Sequence, residues 1–360
     1  MDIRALITLL SITGVGPLRA RNLIGRFGSP EAVLDASRSE LLKVDSIGET
    51  TADSILQADK SAADKQLEKA EKIGASIITL WDKNYPPQLK EIYDPPIALF
   101  IKGDILEDDQ QSVAIVGTRR PSNYGRVACR KIAGGLAARG ITVVSGMARG
   151  IDSIAHRAAL EAGGRTIAVL GSGLDVVYPP ENDKLMAKII SQGAVISEFL
   201  FGTKPDPQNF PTRNRIISGM TLGTLVVDAA EKSGALITAA YAIDQNREAF
   251  AVPGNIDNPS SGGVNKLIKS GHAALITSEE DIINILKHKL KLKDVDHAEP
   301  EPELTGELLE LYRLISHEPL YIDEIAKKMN RNMPETLTLL LQLEMSNYIR
   351  QIPGKKFVRY

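Results

Sequence analysis

The sequence predicts a doubly wound α/β protein, with a mostly parallel sheet spanning about Ser76 to Leu290 and a small helical segment on either side. Three observations carry this reading. The strand-sized runs are continuously apolar rather than alternating, as in strands covered on both faces. Helix-sized segments separate them, which is the alternation of a parallel sheet. Glycines and arginines recur just after the runs, and ligands of such sheets bind beyond the carboxyl ends of the strands.

Residues 1–74 read as small helices. Ile12-Thr-Gly14-Val-Gly16-Pro joins two apolar helical patterns through a glycine turn, and Val44-Asp-Ser46-Ile-Gly48 repeats the form with Ser46 in the first glycine's place. The pair resembles a tandem helix-hairpin-helix of the SAM-like kind. In that motif turn amides and the following helix N-terminus hold a DNA phosphate without reading bases, which makes Gly14 and Gly16 candidate duplex-backbone contacts. The other reading is a helical bundle whose turns need glycine.

Residues 75–290 hold the runs Ser76–Trp81, Ala98–Lys102, Val113–Val116, Thr142–Ser145, Thr166–Leu170, Ala194–Ser197, Leu225–Asp228, Ala249–Val252 and Ala274–Thr277. Helices such as Val127–Arg139 and Lys184–Gln192 are expected to close on Gly140 and Gly193 as left-handed caps. Residues 291–303 are charged, carry prolines and lose apolar periodicity, so they read as a linker. Residues 304–360 read as three short helices and a hairpin, the pattern of a winged helix. The hairpin is locally basic, and Lys355 and Lys356 are candidate contacts to a duplex backbone. A partner-binding or regulatory module is the alternative, because the helices before it are acidic.

Composition bounds the function. A chain of 360 residues, 43% hydrophobic and with net charge −2, buries a sizeable core and meets any polyanion through a local basic cluster. One cysteine, Cys129, excludes a disulfide framework and a Cys-rich zinc site. The five histidines are scattered without metal-like spacing, so no metal is expected. No signal or membrane-spanning segment is visible, and a reducing cytoplasm fits.

Ser112-Val-Ala-Ile-Val-Gly117-Thr-Arg119-Arg120 is built as a phosphate site. A strand ends in glycine, guanidinium forks follow, and a helix N-terminus offers its unpaired amides. Gly146 and the Gly171-Ser172-Gly173 loop repeat the device. Phe210-Pro-Thr-Arg213-Asn214-Arg215 adds a stacking surface beside two cations, a combination suited to single-stranded nucleic acid. The alternative has Phe210 packed inward and Arg213 or Arg215 paired with an acid such as Glu198 or Asp228. Asp152 and His156 share a helix face that allows a hydrogen bond between them, and the pair is expected to play a structural role. A P-loop is absent, and Val176 stands where a dinucleotide fingerprint needs its third glycine. No cofactor is expected.

Gly117-Thr-Arg119, Ser145-Gly146-Met-Ala-Arg-Gly150-Ile-Asp152-Ser-Ile-Ala-His156, Gly171-Ser-Gly173-Leu-Asp175-Val-Val-Tyr178-Pro179, Phe210-Pro-Thr-Arg213-Asn-Arg215, Ser233-Gly234-Ala-Leu-Ile-Thr238-Ala and Val252-Pro-Gly254-Asn-Ile follow one another in the order of the DNA-processing protein A family, also called Smf. The sequence resembles that family strongly over Ser76–Leu290. The resemblance implies an extended Rossmann-like domain that binds single-stranded DNA, forms a homodimer and helps load the RecA recombinase in natural transformation, with single-strand-binding protein a further partner. It implies a binding pocket of Gly117, Arg119, Gly171, Ser172, Gly173, Phe210, Arg213 and Arg215, to which Gly146 and Asn214 are added as candidates. It implies no catalysis. Three segments depart from the family pattern: Met220-Thr221, Gly271-His272 and Asn347 before the wing.

Two other readings compete. Gly219-Met-Thr-Leu-Gly223-Thr224 resembles the phosphate loop of LOG-type nucleotide phosphoribohydrolases, but the expected glutamate is missing and the nearest acid, Asp228, is displaced. A transcription regulator would need a basic recognition helix, whereas Pro334–Met345 has Glu335 and Glu344 and no Lys or Arg.

Overall fold

The computed structural model describes residues 1–290, 304–316, 319–346 and 348–359. They form two compact units, Met1–Lys293 and Asp294–Tyr360. The expected linker 291–303 and Asn347 lie outside the described residues.

The first unit is built on nine strands: β1 (Ser76–Thr79), β2 (Ala98–Gly103), β3 (Ser112–Gly117), β4 (Thr142–Ser145), β5 (Thr166–Val169), β6 (Ala194–Ser197), β7 (Gly223–Val227), β8 (Glu248–Ala251) and β9 (Ala274–Leu275). Their order is β1-β2-β6-β5-β4-β3-β7-β8-β9. Every pairing from β6 to β9 is parallel, while β1–β2 and β2–β6 are antiparallel. The continuous apolar runs follow from burial on two sides. Val113, Ile115, Val143 and Leu225 pack into one core, and their neighbours Ala114, Val116, Val144 and Val226 pack into another on the opposite face.

Gly140 closes its helix with φ +78°, as expected of a left-handed cap. Gly193 does not: it is extended, with φ −172°. Its glycine is required for a different reason, since a Cβ there would lie 2.0 Å from the Thr166 carbonyl oxygen.

The N-terminal helices belong to this same unit. Helices Ile3–Ser11 and Pro17–Phe27 form the first hairpin, and Arg38–Leu41 with Glu49–Leu56 forms the second. Gly14 takes φ +87° and Ser46 takes φ +71°, so the serine adopts the turn conformation its sequence position demands. Val15 and Ile47 are buried behind the two turns. Helix Ser61–Lys72 follows, and Gln66 fastens it to the sheet unit, accepting from the Phe201 amide at 2.8 Å and donating to its carbonyl at 3.2 Å.

The second unit has helices Glu307–Leu314, Ile322–Lys328 and Met333–Met345 and strands β10 (Leu320–Tyr321), β11 (Ile349–Ile352) and β12 (Lys356–Arg359), paired in the order β10-β12-β11. Leu311, Ile325, Leu340, Leu343, Ile349 and Phe357 fill its core. This is the winged helix read from the sequence. Among the described residues no helix is long and apolar enough to cross a membrane, and no group of acidic, histidine or cysteine side chains is placed to hold a metal.

Candidate functional site at the sheet switch point

β3 and β7 lie side by side, and from them the chain winds in opposite directions, β4 to β6 on one side and β8 and β9 on the other. The loops leaving the two strands therefore part, and a crevice opens between them. A cleft of about 420 Å³ sits there, walled by the Gly117–Arg120 loop, Ala148, Asp152, Phe210, Arg213, Asn214 and the Ser233–Ala235 turn. Ser233 caps helix Gly234–Asp244, accepting from the Ala235 amide at 3.3 Å, so that helix directs its N-terminal amides toward the cleft wall.

Phe210 divides this cleft from a neighbouring groove of about 390 Å³ lined by Tyr178, Pro205, Pro207, Pro211 and Ile237. The ring is half-buried rather than packed inward. The Arg119 guanidinium carbon stands 5.5 Å from the ring centroid, that of Arg213 stands 6.0 Å away, and the Tyr178 ring centroid lies at 5.9 Å. Arg119 itself is exposed.

The glycines act as spacers for these side chains. A Cβ at Gly171 would come within 3.0 Å of the Phe210 ring, and Asn209 Nδ2 donates to the Gly171 carbonyl at 3.2 Å, so the Gly171-Ser172-Gly173 loop is the floor on which Phe210 stands. Ser172 is buried and donates to the Val176 carbonyl at 2.9 Å, and a Cβ at Gly173 would meet the Leu200 carbonyl at 2.6 Å. At Gly146 a Cβ would fall 2.0 Å from the Arg213 guanidinium. At Gly117 it would fall 2.0 Å from the Val227 carbonyl, so that glycine serves the packing of the loop on β7.

The two arginines of helix Asn209–Gly219 part company. Arg213 reaches the cleft floor, where it donates to the Gly146 carbonyl at 2.7 Å and to the Val169 carbonyl. Burial pushes its guanidinium down to about 10, against the pull of Asp152. Burial pushes the Asp152 carboxyl up, and Arg213 with the Gly146 and Ala148 amides holds it back. Arg215, expected on the same surface, is buried elsewhere and pairs with Glu198 at 2.5 Å and Asp94 at 2.9 Å. Two residues along a helix is a turn of about 200°, so one face cannot carry both. The pairing with Glu198 was the alternative its sequence context offered. Asn214, between them, is half-buried and borders both the cleft and the groove.

The hydrogen bond that a shared helix face allows between Asp152 and His156 is not formed. His156 Nδ1 lies 2.6 Å from Thr166 Oγ1, whose hydroxyl donates to the Val143 carbonyl at 2.7 Å. With its one proton so engaged, Thr166 accepts from the ring, which fixes the Nδ1–H tautomer. Gly14 and Gly16 lie in the first N-terminal hairpin turn, apart from the cleft lining. Lys355 and Lys356 belong to the second unit, where Lys355 forms the hairpin turn at φ +56° and Lys356 Nζ stands 4.5 Å from the Tyr321 ring centroid.

Asp228, the acid weighed for nucleotide hydrolysis, has φ +57° and turns its carboxylate onto the Ser122 amide at 2.6 Å and the Ser260 hydroxyl at 2.8 Å. It ties two loops together. Sequence reasoning did not assign Tyr178, Ser233 or Gly234 to the site. Their signals were present: an aromatic closing the Gly-Ser-Gly motif, and a Ser-Gly pair after a strand, which is a helix cap at a strand's carboxyl end.

Fold and cleft together define the class, a Rossmann-like α/β protein with glycine loops and an arginine–aromatic pair at its switch point, carrying helix-hairpin-helix and winged-helix segments. Comparison with known families narrows it. Residues 76–287 match the family described as DNA recombination-mediator protein A, residues 6–59 match the SAM-like helix-hairpin-helix tandem, and residues 295–355 match the DprA winged helix domain. The chain is 42% identical to Protein Smf of Escherichia coli over 75% of this chain and 74% of that protein. It is 34% identical to Protein Smf of Synechocystis over 97% and 96%. Among solved structures it is similar to DNA processing protein A of Streptococcus pneumoniae, with TM-score 0.69 and 35% identity over 79% of this chain and 98% of that one. DNA processing protein A from Helicobacter pylori, whose structure is described as giving insight into a unique single-stranded DNA binding mode, matches with TM-score 0.54 and 32% identity, covering 60% and 96%. The chain belongs to the DNA recombination-mediator protein A family and is a DNA-processing protein of that kind.

Proposed function

We propose that the switch-point cleft binds single-stranded DNA and that the protein acts without catalysis, protecting the strand and helping to load the RecA recombinase in natural transformation. The observation that carries this reading is the exposed Arg119 held beside the half-buried Phe210 ring at the cleft mouth. A base stacks on the ring while the adjoining phosphate meets the guanidinium and the amides of the Ser233–Ala235 turn. Backbone contacts carry no base information, so binding is sequence-tolerant and weakens with salt. The single-stranded DNA binding mode described for the Helicobacter pylori relative supports the same ligand. On this reading Gly117, Gly146, Gly171, Ser172 and Gly173 shape the site, Arg119, Phe210, Asn214 and the floor residue Arg213 form it, and Arg215 holds the fold. Gly14, Gly16, Lys355 and Lys356 are candidate backbone contacts for duplex flanking the strand. A homodimer, RecA and single-strand-binding protein complete the proposed partners, in the cytoplasm.

The hydrolase alternative loses its acid, because the Asp228 carboxylate is engaged by Ser122 and Ser260. Fluorescence anisotropy with labelled single strands at two salt concentrations, with duplex and mononucleotide competitors, tests the proposal. Preference for single strands that salt weakens supports it. Binding confined to a mononucleotide, with release of free base, replaces it with the hydrolase.

A further inference from the structure

Helix Asn123–Ala138 follows the Arg119–Arg120 edge of the cleft, so its first turn lies at the carboxyl end of β3. One side of it is core, with Gly125, Cys129, Ile132, Ala133 and Leu136 buried. The opposite side exposes Asn123, Tyr124, Arg126, Val127, Arg130 and Lys131. At about 100° per residue these positions make one continuous face, with Val127 between Arg126 and Arg130 on one flank and Tyr124 and Lys131 on the other. From Arg119 to Lys131 the chain carries five cations and no acid, although its net charge is −2. A solvated helix face ordinarily mixes both signs. Among the described residues Arg120, Arg126, Arg130 and Lys131 make no ion pair. The acids packed on this helix lie at its far end, where Glu279 meets Gly135 and Glu280 pairs with Arg139. Arg126 and Arg130, four apart, repel each other, and a bound polyanion removes that cost. Tyr124, 57% exposed, rims a groove of about 580 Å³ with Pro253, Gly254 and Asn255.

We propose that this face continues the binding path beyond the cleft. A single strand that leaves the cleft over Arg120 runs along the helix, with phosphates on Arg126, Arg130 and Lys131 and a base against Tyr124. The inference rests on the reading that the cleft takes a single strand. Two features favour that occupant. The face joins the cleft through the neighbouring residues Arg119 and Arg120, so one strand reaches both without a gap. It also sets its cations around an exposed ring and the exposed Val127, and a single strand offers unstacked bases to such a surface, whereas a duplex keeps its bases stacked within. At 1.5 Å of rise per residue, Tyr124 to Lys131 covers about 10 Å, the length of about three stacked nucleotides. Affinity should therefore keep rising with strand length after the cleft is full.

Fluorescence anisotropy with the full chain and labelled oligothymidylates of about 5 and about 15 nucleotides tests this. Arg126→Gln combined with Arg130→Gln should hold the short strand's affinity within about twofold and weaken the long strand about tenfold. It should also lower the salt slope of the long strand alone, by about 1.4 for two phosphate contacts. Tyr124→Ala should weaken only the long strand, about tenfold, without altering its slope. Lys184→Gln combined with Lys188→Gln, both exposed on helix Asp183–Gln192, removes the same charge elsewhere and should change neither strand. Every substituted side chain is exposed, so unchanged melting shows that the variants fold. Equal weakening of both lengths overturns the proposal, and so does an equal loss in the lysine control or a loss confined to duplex. Wild-type affinity for both lengths in the arginine variant also overturns it and assigns the face to another acidic partner. Failure of the cleft reading looks different: the wild type then does not bind the short strand at all, and the proposal falls with it.

Discussion

Arg119 stands 5.5 Å from the centre of the Phe210 ring, and the two come from segments about ninety residues apart, one after β3 and one at the start of the helix that precedes β7. Nothing but the sheet's winding brings them together. They supply the two things a single strand offers contacts for, a charge for the backbone and a face for a base.

Phe210→Ala should therefore weaken single-strand binding by about 1–3 kcal/mol with little change in its salt dependence, since stacking is lost and charge is not. Arg119→Ala should weaken binding and also flatten the plot of log affinity against log salt, by about 0.7 for one phosphate contact removed from a single strand. Anisotropy titrations over a salt series read both. The same slope in wild type and Arg119→Ala removes this arginine from the backbone contacts.

Arg215→Ala should act on stability. Removing it leaves Glu198 buried without its partner, a loss of about 3–5 kcal/mol by precedent for broken buried pairs. The double variant Arg215→Met with Glu198→Leu should recover most of that in urea unfolding. Normal stability of the single variant, with loss of binding alone, would put Arg215 back in the site.

Gly146→Ala should destabilise the protein by about 1–3 kcal/mol, because the added methyl displaces the Arg213 guanidinium from the cleft floor. Thermal unfolding measures it. A variant as stable as wild type means that Arg213 has another resting place.

His156 predicts a pH dependence. Burial pushes its imidazole down to about 3 from the ordinary 6.5, with Arg213 and Arg157 adding to the effect. Below about pH 6.5 the unfolded chain takes up a proton that the folded chain refuses until about pH 3. The unfolded state then binds more protons, so stability falls as pH falls through this window, by up to about 1.4 kcal/mol per pH unit. Urea midpoints at neutral and mildly acid pH, compared between wild type and His156→Gln, should show the smaller acid loss in the variant. Identical losses would assign the dependence to other groups.

Much of this was legible because burial writes itself into sequence. β3 to β8 announced themselves as continuous apolar runs, and Gly117, Arg119 and Phe210 stood at the ends of elements where a switch point exposes them. The antiparallel direction of β1 and β2 was not legible, since an apolar run has no polarity. The fate of Arg213 and Arg215 was only half legible: helix geometry required them to diverge, but which one met Glu198 depended on how the helix was rolled against the sheet. Gly193 misled for a related reason. A glycine after a helix fits a cap, and only the neighbouring Thr166 carbonyl reveals the steric need.

The Asp228 carboxylate that fastens the loop after β3 to the loop after β8 has a kinetic consequence. The loop after β3 also carries the Gly117–Arg120 wall of the cleft, and a wall fastened to the end of β7 before any ligand arrives has no closing step to wait for. Capture should then be a single bimolecular event whose observed rate rises linearly with protein concentration, and changes inside the cleft should appear in the lifetime of the complex rather than in its rate of formation. Asp228→Asn, by loosening the latch, should introduce the curvature that the intact protein lacks.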